Sequence, residues 1–254
     1  MQLSEYWIKC DKIDKRCKFA IISDLHGCDP HAAIRLLRSI SPDFILAPGD
    51  IFEAVDGNDE KNNQKNKRGF LLLSEAAKIA PTFYSAGNHE IGGTLSWTRG
   101  IRLDNKSPAE WSEENLEMLR QTGVHFLDDS YVFYDGIAFG GLSSGILNED
   151  RKPSLSWVRE FSMAGCPKIL LCHHPEYYEK YLSDYDIDLI VSGHAHGGQW
   201  RFFGRGVFAP GQGIFPKYTS GVYDGRLVVS RGMKKARVIP RFFNPTEVVV
   251  VTVN

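Results

Sequence analysis

The chain has 254 residues, of which 43% are hydrophobic and 24% are charged. These proportions are typical of globular proteins and exclude bulk disorder. The formal net charge of −1 and the sequence pI of ≈ 6.7 provide no overall attraction to nucleic acid or to an anionic membrane.

The length favours one domain spanning residues 1–254, because no stretch has the composition of an interdomain linker. Residues 1–19 lack the apolar core of a signal peptide, and no window approaches the roughly 20 apolar residues that cross a bilayer. We therefore expect a cytoplasmic protein without a membrane span. The cysteines are irregularly spaced and form no CxxC pair, which favours free thiols: Cys10, Cys17, Cys28, Cys166 and Cys172.

Three strand-like segments occupy the first third of the chain. Residues 18–23 are a β-branched apolar run that stops at Asp24, and residues 43–50 and 81–90 repeat the pattern. Helical spacing of apolar residues between them, at 31–40 and around 70–78, predicts parallel crossover connections. The carboxyl ends of the three strands should then share one edge of a sheet.

Loops and a hairpin are predicted around the middle of the chain. The polar residues 55–69 and the glycine-rich residues 91–108 are expected to be loops. A helix is predicted over 112–121, and residues 124–142 alternate and turn like an antiparallel hairpin.

The second half again contains apolar strands that end in histidines. These are residues 168–175 (KILLCHHP) and 186–198 (DIDLIVSGHAHGG), with a helix-like stretch between them at 175–185. Residues 226–232 and 246–253 supply further strands.

Two pairs of metal-ligand residue types stand at the ends of these strands. Side chains at i and i+2 of an extended segment point the same way, so Asp24 and His26 can converge on one point. The same spacing permits His194 and His196 to form a second chelating pair. Glycines beside both pairs would let the backbone approach a bound ion.

Three further residues whose side chains can bind metal follow predicted strands: Asp50, Asn88 and His173. A single aspartate or histidine at a strand end is more often a cap or a solvated surface group. Seven such groups on one sheet edge would repel one another or stay poorly solvated unless cations neutralised them. The sequence therefore predicts a metal site.

Two divalent ions about 3.5 to 4 Å apart can share one carboxylate, clamp a phosphate and activate water for in-line attack. Asp50 is the expected bridge. Nitrogen and oxygen ligands without thiolate suit Mn²⁺, Fe, Zn²⁺ or Co²⁺ better than Ca²⁺ or Mg²⁺. His89 follows Asn88 and should point the other way, so it is predicted to protonate the leaving oxygen or to stabilise the transition state.

Five motifs, in order as well as content, resemble the blocks of the calcineurin-like metallophosphoesterase superfamily: SDLHG, GD, GNHE, CHHP and GHAH. The resemblance implies a four-layer αββα sandwich, an α/β fold of two mixed β-sheets flanked by helices. It implies that one ion is held by Asp24, His26, Asp50 and His196. The second ion would be held by Asp50, Asn88, His173 and His194.

Residues 196–200 (HGGQW) and 227–232 (LVVSRG) are similar to a bacterial branch of that superfamily, which includes YkuE-type phosphohydrolases and some lipid A precursor pyrophosphatases. Members of that branch often carry an amino-terminal membrane anchor or export signal. Residues 1–19 do not resemble one, and this departure argues against a lipid substrate.

Several other residues have two interpretations. His174 could replace His173 as a ligand, although the family pattern favours His173. His31 and His125 are expected on a helix surface and in a loop. Cys28 lies beside the first motif, but the ligand set is full without it.

The loop after GNHE could reach over a substrate, with Arg99 and Arg102 pairing with phosphate and Trp97 stacking on a base or sugar. The alternative is an ordinary solvated loop. Arg201 and Phe202 carry the same two interpretations.

The leading prediction is a dinuclear-metal-dependent phosphohydrolase acting on a phosphomonoester, a phosphodiester or a pyrophosphate, in no order of preference. The near-neutral charge favours a small phosphorylated substrate over a long nucleic acid. A catalytically silent scaffold is the alternative, although every ligand motif is intact. Hydrolysis of a carbon ester or amide is chemically open to such a site.

Overall fold

The computed structural model describes residues 1–13, 15–54, 60–92, 94–96, 100–102, 111–146, 152–235 and 240–254, with the backbone alone at 94–96 and 100–102. Its strands are β1 (Gln2–Ile8), β2 (Cys17–Ile21), β3 (Phe44–Pro48), β4 (Thr82–Ser85), β5 (Thr94–Ser96), β6 (Gly100–Arg102), β7 (His125–Phe126), β8 (Ser130–Tyr134), β9 (Ile137–Leu142), β10 (Lys168–Cys172), β11 (Leu189–Ser192), β12 (Arg201–Phe202), β13 (Arg205–Gly206), β14 (Phe208–Ala209), β15 (Gly213–Ile214), β16 (Gly221–Tyr223), β17 (Leu227–Val229) and β18 (Glu247–Val253). Its α-helices are α1 (His31–Ile40), α2 (Glu60–Ala77), α3 (Glu113–Thr122) and α4 (Ser156–Ser162). A π-helical turn spans Tyr178–Leu182, and a 3-10 turn spans His196–Gly198.

The first sheet has the strand order β1-β18-β2-β3-β4-β7. Strands β2, β3 and β4 are parallel, as the crossover pattern predicted, and β18 runs antiparallel to β2. The edge strand β1 was not predicted from the sequence. It pairs in parallel with β18 along its whole length, from Gln2 opposite Glu247 to Ile8 opposite Val253.

The second sheet has the strand order β16-β17-β11-β10-β9-β8. Its four central strands are parallel, and both edge strands are antiparallel to their neighbours. The hairpin predicted over 124–142 forms only from residue 130 onward, as β8 and β9, because residues 125–126 form β7 of the first sheet. Its turn is Asp135–Gly136, and both residues have positive φ, as a two-residue hairpin of this kind requires.

Three hydrophobic clusters separate the layers. One lies between the first sheet and helices α1 to α3, one between the two sheets, and one between the second sheet and α4 with the π-helical turn. Phe83 of β4 and Phe139 of β9 stack across the two sheets, with ring centroids 3.8 Å apart. The predicted four-layer α/β sandwich is therefore confirmed.

Helix α2 begins at Glu60, so the prediction of a loop through residue 69 was wrong for its second part. The stretch lacks an apolar stripe because a polar side chain is buried instead. Asn66 accepts a hydrogen bond from the backbone N–H of Glu53 at 2.9 Å and donates to the carbonyls of Glu53 and Ala54. Gly69 allows close approach of the Phe52 ring.

The helix-like stretch at 175–185 contains only the short π-helical turn, so the regular helix suggested there was wrong. Within the described ranges, no helix combines the length and apolarity needed to cross a bilayer. All five cysteines are free thiols, as predicted.

Candidate metal centre

The predicted ligands meet where the carboxyl ends of strands from both sheets converge. Asp24, Asp50 and Asn88 follow β2, β3 and β4 of the first sheet. His173 and His194 follow β10 and β11 of the second sheet. The expectation of a single sheet edge was therefore wrong, because the histidine-bearing strands of the second half form a sheet of their own.

One group of ligand atoms comes from Asp24, His26 and His196, and these atoms lie within 4.8 Å of one another. His26 Nε2 is 4.0 Å and His196 Nε2 is 3.8 Å from Asp24 Oδ1. All three side chains are buried, and Asp24 Oδ2 has no hydrogen-bond partner among the described residues. A buried carboxylate oxygen without a hydrogen-bond partner is energetically costly unless a cation lies beside it.

A second group comes from Asp50, His173 and His194, again within 4.8 Å. Asp50 Oδ2 lies 3.1 Å from His173 Nε2 and 3.3 Å from His26 Nε2, so this single oxygen faces both groups. Within the described part of the chain, His194 Nε2 has no hydrogen-bond partner. Asp50 thus occupies the position expected of a bridging ligand.

Asn88 is buried beside this second group. The preceding Gly87 approaches Asp50 so closely that a Cβ atom there would lie 2.4 Å from Asp50 Oδ1 and 2.9 Å from His173 Cδ2. Glycine at this position lets strand β4 deliver Asn88 to the centre without a clash.

The prediction of extended backbone at the two i, i+2 pairs was wrong. Asp24, His26, His194 and His196 are not extended: their φ values are 54°, 49°, 65° and 47°, in the left-handed region. A left-handed turn folds Asp24 and His26 onto one group, but it separates His194 from His196, which join different groups. Left-handed backbone at bulky residues is strained, and such strain concentrates at functional sites.

His194 and His196 are held in the neutral form that binds metal. Burial lowers the pKa of each imidazole well below its usual value, and the neighbouring His174 and His26, respectively, lower it further. Each ring can therefore offer a nitrogen lone pair at neutral pH.

Asp50 and His173 shift each other's pKa in opposite directions. Burial raises the pKa of Asp50, but the positive charge of His173 and of other histidines outweighs burial and holds this pKa well below its usual range. Burial lowers the pKa of His173, yet the charge of Asp50 raises it to about 10. Without metal, the centre therefore keeps a proton on His173, which a divalent ion would displace.

Two glutamates to which the sequence assigned no role organise the centre: the buried Glu90 and the half-buried Glu53. Glu90, the last residue of GNHE, accepts hydrogen bonds from the backbone N–H groups of Asp50, Phe52 and Gly87 at 3.1, 3.0 and 2.9 Å. Burial and the charge of Asp50 raise the pKa of Glu90 to about 7. The sequence features that could have identified Glu90 were its charge and its position in the strand-end motif GNHE.

Glu53 is the second of these glutamates. Its carboxylate lies 3.0 Å from His89 Nδ1 and 3.7 Å from His26 Nδ1. Burial raises the pKa of Glu53, but the neighbouring His26 and His89 rings lower it below its usual range. Glu53 therefore orients the His89 ring by a hydrogen bond and lies beside the His26 ring. It sits in a loop outside the motifs, so no sequence signal marked it.

The turn that carries His196 is fixed from the carboxyl-terminal part of the chain. Asn244 donates to the carbonyls of His196 and Gln199 at 2.7 and 3.0 Å, and Arg241 donates to the His196 carbonyl at 3.2 Å. Gly232 lies against Asp24, since a Cβ atom there would be 2.6 Å from Asp24 Cβ.

His89 borders the centre but reaches toward solvent. Its ring packs edge-on against His26 at 4.3 Å, and its backbone N–H donates to Asp50 Oδ1 at 2.9 Å. Its side chain is 18% exposed, whereas that of His26 is fully buried. Burial lowers the pKa of His89, but Asp50 and Glu53 outweigh burial and raise it.

His174 lies in a third buried group, with Glu176 and His194. Its Nε2 is 2.6 Å from Ser144 Oγ, and its ring centroid is 4.3 Å from that of His194. His173 and His174 therefore face different groups, and it is His173 that faces Asp50.

The other histidines and Cys28 lie away from the metal-ligand groups. The His31 side chain is 64% exposed on α1. His125 lies in β7 rather than in a loop, and its ring stacks on Phe83 at 4.9 Å. Cys28 is half-buried.

Of the predicted substrate-binding residues, Trp97 and Arg99 lie outside the described residues. Arg102 is described only as backbone in β6, which pairs with β5. The Arg201 guanidinium donates to the Gly197 carbonyl and to Thr219 Oγ1, both at 3.0 Å, so it supports the chain beside His196. Phe202 is exposed.

The fold and the ordered ligand motifs define a metallophosphoesterase. The chain belongs to the calcineurin-like phosphoesterase family, whose family model matches residues 17–198.

Named relatives place the chain more finely. It is 36% identical over 231 residues to the uncharacterized metallophosphoesterase YkuE of Bacillus subtilis, covering 88% of this chain and 72% of that protein. It is 26% identical over 260 residues to an uncharacterized metallophosphoesterase of Helicobacter pylori, covering 97% of this chain. It is 27% identical over 279 residues to the UDP-2,3-diacylglucosamine pyrophosphatase LpxG of Chlamydia muridarum, covering 91% of this chain and 81% of that protein. The YkuE match confirms the predicted resemblance, and the chain spans only 62% of the length of the Helicobacter relative.

Proposed function

We propose that this protein is a dinuclear-metal phosphohydrolase. The observation that carries the proposal is the position of Asp50 Oδ2, 3.3 Å from His26 Nε2 and 3.1 Å from His173 Nε2, between two buried groups of ligands. A carboxylate shared by two ions is the arrangement that clamps a phosphate in two-metal hydrolases.

The residues of the centre fit two divalent ions. The buried Asp24 Oδ2 and His194 Nε2 have no hydrogen-bond partner among the described residues, and each would gain one bond to a cation. We assign Asp24, His26, Asp50 and His196 to one ion, and Asp50, Asn88, His173 and His194 to the other. The mixture of imidazole, carboxylate and amide without thiolate favours Mn²⁺, Fe, Zn²⁺ or Co²⁺.

When bound, the two ions supply Lewis-acid activation of water and of the phosphoryl oxygens. The chain supplies the proton chemistry. His89, oriented by Glu53 and with a raised pKa, is positioned to donate a proton to the leaving oxygen.

Lys234 is a candidate partner for the substrate phosphate. Its positive charge lowers the pKa of His26, His89 and His196, so it acts on the centre from close by. It is half-buried, and among the described residues it forms no ion pair. A lysine in that position can neutralise part of a phosphate dianion.

The bond cleaved is a phosphomonoester, a phosphodiester or a pyrophosphate. The pyrophosphatase name of the Chlamydia relative adds weight to the anhydride. The core shared by the two sheets supports treating residues 1–254 as one domain.

The test is hydrolysis by metal-stripped protein that is refilled separately with Mn²⁺, Zn²⁺, Fe²⁺, Co²⁺ or Mg²⁺. The substrates are p-nitrophenyl phosphate, bis-p-nitrophenyl phosphate, a nucleotide and pyrophosphate panel, and p-nitrophenyl acetate. We expect phosphate release on refilling and its loss in Asp50→Asn. The matched control is His31→Asn, which removes an exposed histidine outside the centre and should keep both metal binding and turnover.

Metal binding without cleavage of any phosphate substrate would point to a scaffold. Cleavage of the acetate ester alone would assign the centre to carboxylic esters. Failure to bind two ions would refute the proposal.

A further inference from the structure

Exposed aromatic side chains are concentrated in one region of the surface. Seven of the thirteen large hydrophobic residues exposed in the described part of the chain fall in three short segments near residues 200, 215 and 242. We define the aromatic rim as Phe202, Phe203, Ile214, Phe215, Phe242 and Phe243. An exposed apolar patch of this kind marks an interaction site.

The three segments form one surface. The Arg201 N–H donates to the Phe242 carbonyl at 3.0 Å, and the Phe202 and Phe243 rings have centroids 6.4 Å apart. The Phe215 N–H donates to the Val207 carbonyl at 2.9 Å, and the Val207 N–H donates to the Trp200 carbonyl at 2.9 Å. The rim is therefore a continuous, backbone-bonded layer.

Three rim residues occupy backbone positions that suit other residue types. Phe203, Phe215 and Phe243 have φ values of 49°, 53° and 51°. Glycine or asparagine is favoured in the left-handed region, and a bulky aromatic residue there is an outlier. The left-handed backbone at these phenylalanines lowers local stability. Because backbone strain of this kind concentrates at functional sites, we interpret their exposure as serving binding.

The segment of the chain that carries the rim is rich in basic residues. Residues 197–246 contain nine Lys or Arg and one Asp or Glu, whereas the rest of the chain has 21 basic and 30 acidic residues. The near-neutral total conceals this segregation. Arg205 and Lys235 are exposed and form no ion pair with the described residues, while Lys217 pairs with Glu179 at 3.2 Å.

Two clefts combine both features. One, of about 430 Å³, is lined by Phe215 together with Arg205 and Lys217. The other, of about 480 Å³, is lined by Phe243 together with Lys235 and Arg241. Each sets an exposed phenylalanine beside one exposed cation without an ion pair among the described residues, Arg205 in the first and Lys235 in the second. This pairing matches the apolar and anionic chemistry of a phospholipid surface.

We propose that the aromatic rim docks this protein onto the surface of an anionic lipid bilayer. The rim phenylalanines enter the headgroup region, and the exposed Arg205 and Lys235 side chains contact lipid phosphates. Asn244, which holds the His196 carbonyl, follows Phe243 directly, so the docked surface adjoins the candidate metal centre. Docking does not depend on hydrolysis.

The test is cosedimentation of the full chain with vesicles of phosphatidylcholine containing phosphatidylglycerol, and with phosphatidylcholine vesicles alone. We expect binding to the anionic vesicles that weakens with added salt, and weaker binding to the neutral ones. The triple variant Phe203→Asn, Phe215→Asn and Phe243→Asn should lose about tenfold or more in vesicle affinity, because each phenylalanine contributes buried apolar area. Its thermal stability should stay equal or rise, since asparagine suits the left-handed backbone.

The control is Phe133→Asn with Met163→Asn. These side chains are 65% and 78% exposed, and Phe133 lies on β8, at the edge of the second sheet opposite β16. The control should keep vesicle binding. Hydrolysis of p-nitrophenyl phosphate in vesicle-free solution should be the same in both variants, which separates docking from the proposed function.

Three results would overturn docking: no binding of the unaltered chain to anionic vesicles, unchanged binding by the triple variant, or equal loss in the control. A fourth result that would overturn docking can come from sedimentation velocity without vesicles. A dimer of the unaltered chain that the triple variant dissociates, together with no vesicle binding, would show instead that the rim joins two copies of the chain.

Discussion

Gly232 offers a direct test of whether close packing shapes the metal centre. Its φ is +73°, and a Cβ atom would lie 2.6 Å from Asp24 Cβ and 2.7 Å from Asp24 Oδ2. We expect Gly232→Ala to lower the free energy of unfolding by about 1–2 kcal/mol for the left-handed backbone and by about 1–3 kcal/mol for overpacking. Displacement of Asp24 should also weaken Mn²⁺ binding by about tenfold or more.

Gly225 provides the matched control. It too is left-handed, with φ +67°, but nothing lies within 4 Å of a Cβ atom there. Gly225→Ala should therefore show only the backbone cost of about 1–2 kcal/mol and keep Mn²⁺ affinity. The assays are urea unfolding of the metal-free proteins and calorimetric titration with Mn²⁺. Equal losses of stability and equal Mn²⁺ affinities in the two variants would refute the claim that contact with Asp24 matters.

Four further predictions use the same protein. Asn244→Leu removes the hydrogen bonds to the carbonyls of His196 and Gln199 and should weaken metal binding by about 10- to 100-fold in calorimetry, so unchanged affinity would contradict this support role. Lys234→Gln should raise KM for p-nitrophenyl phosphate by about threefold to tenfold with little change in kcat, and a fall in kcat alone would exclude a ground-state contact with phosphate. The pKa of His173 is raised to about 10 in the metal-free protein, so His173 is still protonated at pH 8. Metal binding at pH 8 should therefore release about one proton. Calorimetric titrations in buffers of different ionisation enthalpy measure this release, and identical titration enthalpies would count against it. Mn²⁺ at about 100 times its Kd should add about 2.7 kcal/mol of stability and raise Tm by roughly 5 to 10 °C, which scanning fluorimetry with and without chelator would detect.

Strand ends were the part of the structure most accessible from the sequence. Short apolar runs that stop at Asp24, Asp50 and His173 mark buried parallel strands, because both faces of each strand need apolar cover. The ordered motifs then indicated the family, and the structure brings the side chains of these motifs close together.

Backbone handedness and buried polar partners were not accessible. Spacing alone does not distinguish an extended strand end from the left-handed turns at His194 and His196, so it permitted a chelating pair that the backbone does not form. Helix α2 was shortened because Asn66 is buried by hydrogen bonds rather than by hydrophobicity. Glu53 acts through the tertiary structure, and nothing local predicts its contacts.

Bulk composition also concealed the surface chemistry. A net charge of −1 suggested no anionic partner, yet residues 197–246 carry nine basic residues and one acidic residue, and the other 30 acidic residues lie elsewhere. Averages over a chain lose such segregation, and it is the local field that attracts a partner.

The pairing of β1 with β18 constrains the order in which the molecule can be built. Strand β1 hydrogen-bonds to residues 247–253, so on the ribosome it must wait until those residues have emerged. Until then β2 also lacks the neighbour it will have in the finished sheet and presents an open edge. A chain stalled shortly before residue 247 would carry the complete set of candidate metal ligands beside an unfinished sheet, prone to pairing with other chains.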